Sequence, residues 1–256
     1  MDQGKSGKLM RTAAYLAPLV LIFVLIGLYA AAPQFYLAYV LESKRREYQA
    51  VEIVTFACAI AGSLFMFIAA RRLWRQDIRP VGKKGRLLRD RGGFVVIAVM
   101  AMATFFFAGE EISWGQTYLG WGTPEAYKSI SGETNLHNTP LNVKSIGDWF
   151  LVAVFFVLPG LWAMRGRWCP PASWSPGIAE GPVVFAMAVA FVWRLYKNIY
   201  RQWILDVAQE QDVYYMQFIE QINEHKEMLA AVSLLMYGLY RLSAVRRYLA
   251  GQPQKD

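Results

Sequence analysis

Residues 94–108 read FVVIAVMAMATFFFA. The run closes on Gly109-Glu110-Glu111 and then continues as Ile112-Ser113-Trp114-Gly115-Gln116. Fifteen residues with no charge fit a helix in hydrocarbon. Two adjacent carboxylates at its C-terminal end are unfavourable twice over. They sit at the negative end of the helix dipole and at the edge of a low-dielectric layer. The sequence must supply groups that meet them.

The rest of the chain has the same character. Of its 256 residues 55% are hydrophobic, and nine Trp and 14 Tyr supply side chains that favour membrane–water interfaces. Six apolar segments, at about 12–32, 50–70, 93–109, 149–164, 182–200 and 222–240, approach bilayer-crossing length. The expected fold is an all-α, polytopic membrane bundle of six transmembrane helices in a single domain. The first segment reads as a retained anchor, because Pro33 directly after Ala30-Ala31-Ala32 makes a poor cleavage site.

Lys and Arg set the expected orientation. Lys5, Lys8 and Arg11 precede the first segment, and nine basic residues fall in 71–91. Arg165 and Arg167 follow the fourth segment, and Arg241, Arg246, Arg247 and Lys255 follow the sixth. With six crossings all of these share one side, which then holds 18 of the 27 basic residues and only five of the 19 acids. Both termini are therefore expected in the cytoplasm of a bacterial-type inner membrane, with the acidic side facing out. The net charge of +8 is thus a topology signal and not a nucleic-acid footprint. Two cysteines, Cys58 and Cys169, make no disulfide framework. The sizeable outward loop, 112–148, contains Thr123-Pro124-Glu125, a helix-start signal that predicts a short surface helix at about 124–130.

Depth counting places several charges together. Glu110 and Glu111 come about 25 Å above the inner end of the third segment at 1.5 Å per residue. Arg194 lies roughly 18 Å up the fifth, with Lys197 and Arg201 above it on the same face. Glu224 and His225 lie about 25 Å up the sixth. The expectation is a polar site at the outer end. Glu110, Glu111, Glu224, His225 and the loop residue His137 are its candidate acid–base groups. Arg194, Lys197 and Arg201, with Trp114 and Gln116, are candidates to hold a lipid phosphate or carboxylate. Glu111, His137 and His225 would be the ligands if a divalent metal binds.

No Gly-rich phosphate loop, dinucleotide fingerprint, Cys-x-x-Cys pair or haem-attachment motif is present. Two histidines are too few for a His-rich di-iron site. Ser113 lacks a Gly-x-Ser-x-Gly or Ser-x-x-Lys context. A carrier function is disfavoured because the inner halves of the segments are nearly devoid of polar residues. Two readings stay open: an enzyme acting on a lipid or lipid-linked substrate, and a non-catalytic subunit or scaffold. In the second, the buried charges are structural pins and loop 112–148 docks a protein partner.

Overall fold

The structure, a computed structural model, describes residues 3–36, 50–76, 87–112, 114, 119, 163, 177–207 and 213–250. The described residues are helical, with no strand among them. The helices are α1 (Gln3–Ala31), the single turn α2 (Pro33–Phe35), α3 (Ala50–Gln76), α4 (Leu87–Glu111), α5 (Gly181–Val207) and α6 (Val213–Ala250). Three stretches are long and apolar enough to cross a membrane: Ala50–Arg75, Arg91–Glu111 and His225–Ala250. Tyr15–Leu28 and Gly181–Trp193 are shorter apolar stretches on α1 and α5. The expected segment at 149–164 and the surface helix at about 124–130 lie outside the described residues.

Helix α6 is central. Two-thirds (67%) of its apolar stretch is buried, against 39% for α3 and 44% for α4. It packs on α3 along one side and on α5 along another, and α4 backs α3 while α1 backs α5. The core runs through Met66, Ala69, Leu73, Ile97, Ala101, Met187, Ala190, Leu229, Leu234 and Tyr237. The outward faces of α1, α3 and α4 are as apolar as the core. Phe23 is 70% exposed, Leu64 55% and Phe106 53%. A continuous apolar exterior of this kind fits hydrocarbon and would aggregate in water.

Pairwise contacts fix the direction of each helix. On α3 and α4, Trp74 meets Phe94, Ser63 Oγ donates to the Ala101 carbonyl at 2.8 Å, and Ala59 meets Ala108, so these two are antiparallel. On α3 and α6, Val51 clusters with Met228, Ala59 with Ala231, and Gly62 lies against Leu234 and Gly238, so these two are parallel. Trp193 meets His225 and Glu180 meets Arg241, making α5 antiparallel to α6. Tyr15 meets Phe185, and Tyr36 just beyond α2 reaches His225, so α1 runs with α5. Helices α4 and α5 therefore point the same way. Gly177, before α5, sits beside Gly93 and Val96 at the start of α4, at the opposite end of the bundle from Glu111.

The tightest approach is between α3 and α6. A Cβ on Gly238 would stand 2.6 Å from the Gly62 carbonyl oxygen, and one on Gly62 would stand 2.9 Å from the Leu234 oxygen. With no Cβ in between, two backbones come into direct van der Waals contact, the usual device for packing helices in lipid. Ala59, Ser63, Ala231 and Ser233 keep side chains small beside this crossing. The hydroxyls of Thr55 and Ser233 are satisfied within their own helices, by the carbonyls of Val51 and Leu229.

A second pin lies at the end of the bundle where α5 starts. The peptide N–H groups of Val183 and Val184 both donate to the Glu180 carbonyl, so α5 opens at Glu180 with Pro182 in its first turn. The Glu180 carboxylate receives Arg247 at 2.8 Å and approaches Arg241 at 3.5 Å. Tyr237 donates to the Gly177 carbonyl at 2.6 Å, and the Arg241 guanidinium lies over its ring. In the sequence Arg241 marks the end of the sixth segment. In the structure the helix continues to Ala250, and Arg241 is 1% exposed.

Two stability contrasts follow, both readable by thermal unfolding in detergent. Gly238→Ala should lower stability by about 1–3 kcal/mol, because two backbones cannot both yield. Gly27→Ala on α1 is the control, since nothing lies within 4 Å of its missing Cβ. Equal effects would contradict the close crossing. Glu180→Gln should cost about 3 kcal/mol or more by removing the carboxylate that the buried Arg241 approaches, whereas exposed Arg247→Gln should cost under about 1 kcal/mol.

Candidate functional site

The helix directions gather the charges at two ends. One end carries Arg71, Arg72, Arg75, Arg91, Arg241, Arg246 and Arg247. The other carries Glu52, Glu110, Glu111, Lys226 and Glu227 with His225 and Tyr36. At this second, acidic end the described side chains form two clusters.

The first cluster is built by Gly109, Glu110 and Trp114 at the end of α4. Helix α4 ends at Glu111, and Trp114 adopts a left-handed backbone with φ 56°. That conformation is costly for a bulky residue, so other contacts must hold it. The indole folds back onto α4, where a Cβ on Gly109 would come within 2.8 Å of the ring. It packs edge-on against Phe105 and Phe106 at centroid distances of 6.3 and 5.5 Å. Its Nε1–H donates to Glu110 Oε1 at 2.6 Å. The glycine, the glutamate and the tryptophan thus explain one another: Gly109 makes the space, Trp114 fills it, and Glu110 takes the N–H. A C-terminal carboxylate, unfavourable with the helix dipole alone, gains a short hydrogen bond there.

The second cluster surrounds His225 on α6. His225 is 1% exposed. Its Nε2 shares a 2.5 Å hydrogen bond with the hydroxyl of Tyr36, which is fully buried. The turn of α2 that follows α1 carries the chain to this position, with Pro33 at its first residue. The Trp193 ring of α5 closes on the imidazole edge-on at 6.4 Å. Leu25, Val51 and Met228 pack around Tyr36. Whichever way the proton lies on the Tyr36 bond, Nδ1 is buried with no hydrogen-bond partner among the described residues. A buried histidine normally satisfies both nitrogens, so an engaged Nε2 beside an unpartnered Nδ1 sets this imidazole apart from an ordinary packing residue. Beside it, Lys226 pairs with Glu227 at 3.4 Å.

Of the candidates named from the sequence, Glu110, Glu111, Trp114 and His225 are described with their side chains, all at the acidic end. Trp114 and Glu110 are joined directly. Arg194, Lys197, Arg201 and Glu224 stand on helical backbone of α5 and α6, and their side chains lie outside the described residues. Gln116 and His137 lie outside them altogether. Among the described residues no three His, Cys, Asp or Glu side chains gather as metal ligands. The metal reading needs His137 beside Glu111 and His225.

Tyr36 and Trp193 escape sequence reading. Each looks like one more interfacial aromatic, and only the antiparallel α5–α6 pair and the α2 turn bring them to one imidazole. The Tyr36 signal is its place three residues after Pro33, where the short turn α2 follows α1.

If the Trp114–Glu110 bond holds the end of α4, a double-mutant cycle of Trp114→Phe and Glu110→Gln should give a coupling of about 1 kcal/mol or more in unfolding free energy. Strictly additive losses would remove the interaction from the account. Comparison with models of protein families, with curated proteins and with solved structures finds no match to this chain.

Proposed function

We propose that this chain is a six-span inner-membrane protein that carries out acid–base chemistry on a lipid or lipid-linked substrate at its extracytoplasmic, acidic end. The observation that carries the reading is His225: fully buried, held by Tyr36 through one nitrogen and with no hydrogen-bond partner among the described residues at the other. Three elements converge to place this imidazole, and none of the packing requires a titratable group there. In the proposed site Tyr36 orients His225, and Nδ1 accepts or gives the proton at the substrate. Glu110, Glu111 and Glu224 supply further carboxylates at the same end. Arg194, Lys197 and Arg201 form the anion clamp, with Trp114 and Gln116 at the rim and His137 above. A divalent metal, if used, would sit on Glu111, His137 and His225.

The six-span topology is supported by helix direction. Helices α4 and α5 run the same way, so the connection between them fits one further crossing, which the apolar segment 149–164 would supply. Cytoplasmic termini are supported by the gathering of arginines at one end.

A second reading, the non-catalytic subunit, is favoured by one observation. Glu110 is bonded to a residue of its own motif and Glu180 clamps two arginines, so both act as pins. Loop 112–148 would then dock the partner protein.

The two readings separate on one comparison. Membrane lipids from cells producing wild-type protein and from cells producing a folded His225→Asn variant are profiled by mass spectrometry. The enzyme reading expects at least one lipid species to change with the wild type and to revert with the variant. Identical profiles, together with a protein partner that co-purifies with both, would overturn it in favour of the subunit.

A further inference from the structure

We infer that the lipid oxygen which meets His225 is the carbonyl of an acyl ester, and that Nδ1 is the donor in that contact. The inference rests on the proposed reading that a lipid reaches this imidazole, and it names the group that does so. It starts from the Tyr36 bond. A phenol and a neutral imidazole can share a hydrogen bond in two ways. The phenol is the stronger acid and the bare ring nitrogen the stronger base, so O–H to N is favoured over N–H to O. The 2.5 Å separation suits an O–H donor and is shorter than an N–H to O bond usually is. Tyr36 therefore donates to Nε2. A neutral imidazole carries one N–H, so that hydrogen stands on Nδ1. Nδ1 is buried with no hydrogen-bond partner among the described residues. An N–H in that position calls for an acceptor.

The surroundings say which acceptor. Tyr36, Trp193, Leu25, Val51 and Met228 give an aromatic and apolar lining. Among the described side chains at this end the one cation is Lys226, and Glu227 already pairs with it at 3.4 Å. A phosphate or carboxylate drawn into that lining would be a desolvated charge held by a single N–H, whereas a neutral carbonyl brings no charge to desolvate. Depth agrees. His225 opens the apolar stretch His225–Ala250, so the imidazole stands where hydrocarbon begins, at the level of the glycerol esters. Lys197 and Arg201 follow Trp193 by about one and two turns of α5, on the outward side, where the phosphate of the same lipid would lie. Of the elements around the imidazole α2 is a single turn, so it is the wall that opens at least cost to admit an acyl chain. The carbonyl oxygen is also the atom that gathers negative charge when an ester is attacked, which makes an N–H donor useful there.

Solid-state NMR of the full chain, with nitrogen-15 histidine, tests the contact in bilayers of phosphatidylcholine labelled with carbon-13 at the acyl carbonyls. The His225 signals are those that His225→Asn removes. Nδ1 should carry the hydrogen and should receive magnetisation from the carbonyl carbon. Tyr36→Phe should cut that transfer about twofold, because the hydrogen then divides between two nitrogens. In an ether-linked phosphatidylcholine of the same chain length, which has no carbonyl, the Nδ1–H proton should move upfield. A hydrogen on Nε2, an absence of transfer, or the same proton shift in both lipids would overturn the inference. The proposed chemistry is judged apart from this. Lipid profiles that revert with His225→Asn while no transfer is seen would overturn the carbonyl contact and leave the chemistry standing.

Discussion

The contact of Gly62 with Gly238 is the constraint from which the rest of the bundle follows. Helices in hydrocarbon gain nothing from hiding apolar surface, so they associate where shape allows the backbones to meet. Only two glycines at the crossing permit that here. Once α3 and α6 are locked in parallel, Ser63 fastens α4 behind α3. Glu180, Tyr237 and Arg241 fasten α5 to α6. Helix directions are then set, and with them the identity of the two ends. Among the described side chains, Glu52, Glu110, Glu111 and His225 then fall at one end, and the arginines, with Glu180, at the other.

The two ends use charge differently. At the basic end a buried arginine is neutralised by a glutamate at the start of α5, which also holds the exposed Arg247. At the acidic end, Glu110 is satisfied within its own motif while His225 is not satisfied fully. Burial of a polar atom without a partner costs free energy, on the order of 1–3 kcal/mol. A fold that could place an aliphatic side chain at this position instead holds an imidazole with a tyrosine bond. That expense, at the end where the sequence already concentrates ionisable groups, is the physical basis of the functional proposal.

Much of the fold was legible in the sequence because hydrocarbon imposes length and apolarity. The stretches at 50–70, 93–109 and 222–240 became helices long and apolar enough to cross a membrane, with ends displaced by a few residues. The displacement has a cause at Arg241: an arginine reads as a water-exposed end marker, but Glu180, distant in sequence, lets it be buried. The Glu110–Trp114 bond was also half legible, since both residues lie in the motif that draws attention first. The bond depends on a left-handed Trp114, which no spacing rule indicates. Tyr36 and Trp193 were illegible for a plainer reason. An aromatic residue becomes part of a site only through the helices that bring it there, and the sequence carries no mark of that meeting.

The central claim is that Tyr36 and the surrounding packing hold His225 in one state with its second nitrogen open. Because the chain has only two histidines, His137→Gln leaves a single imidazole for nitrogen-15 NMR. A single fixed tautomer should be seen, and Tyr36→Phe should convert it to an exchanging mixture. An averaged spectrum that is the same with and without the Tyr36 hydroxyl would contradict the account.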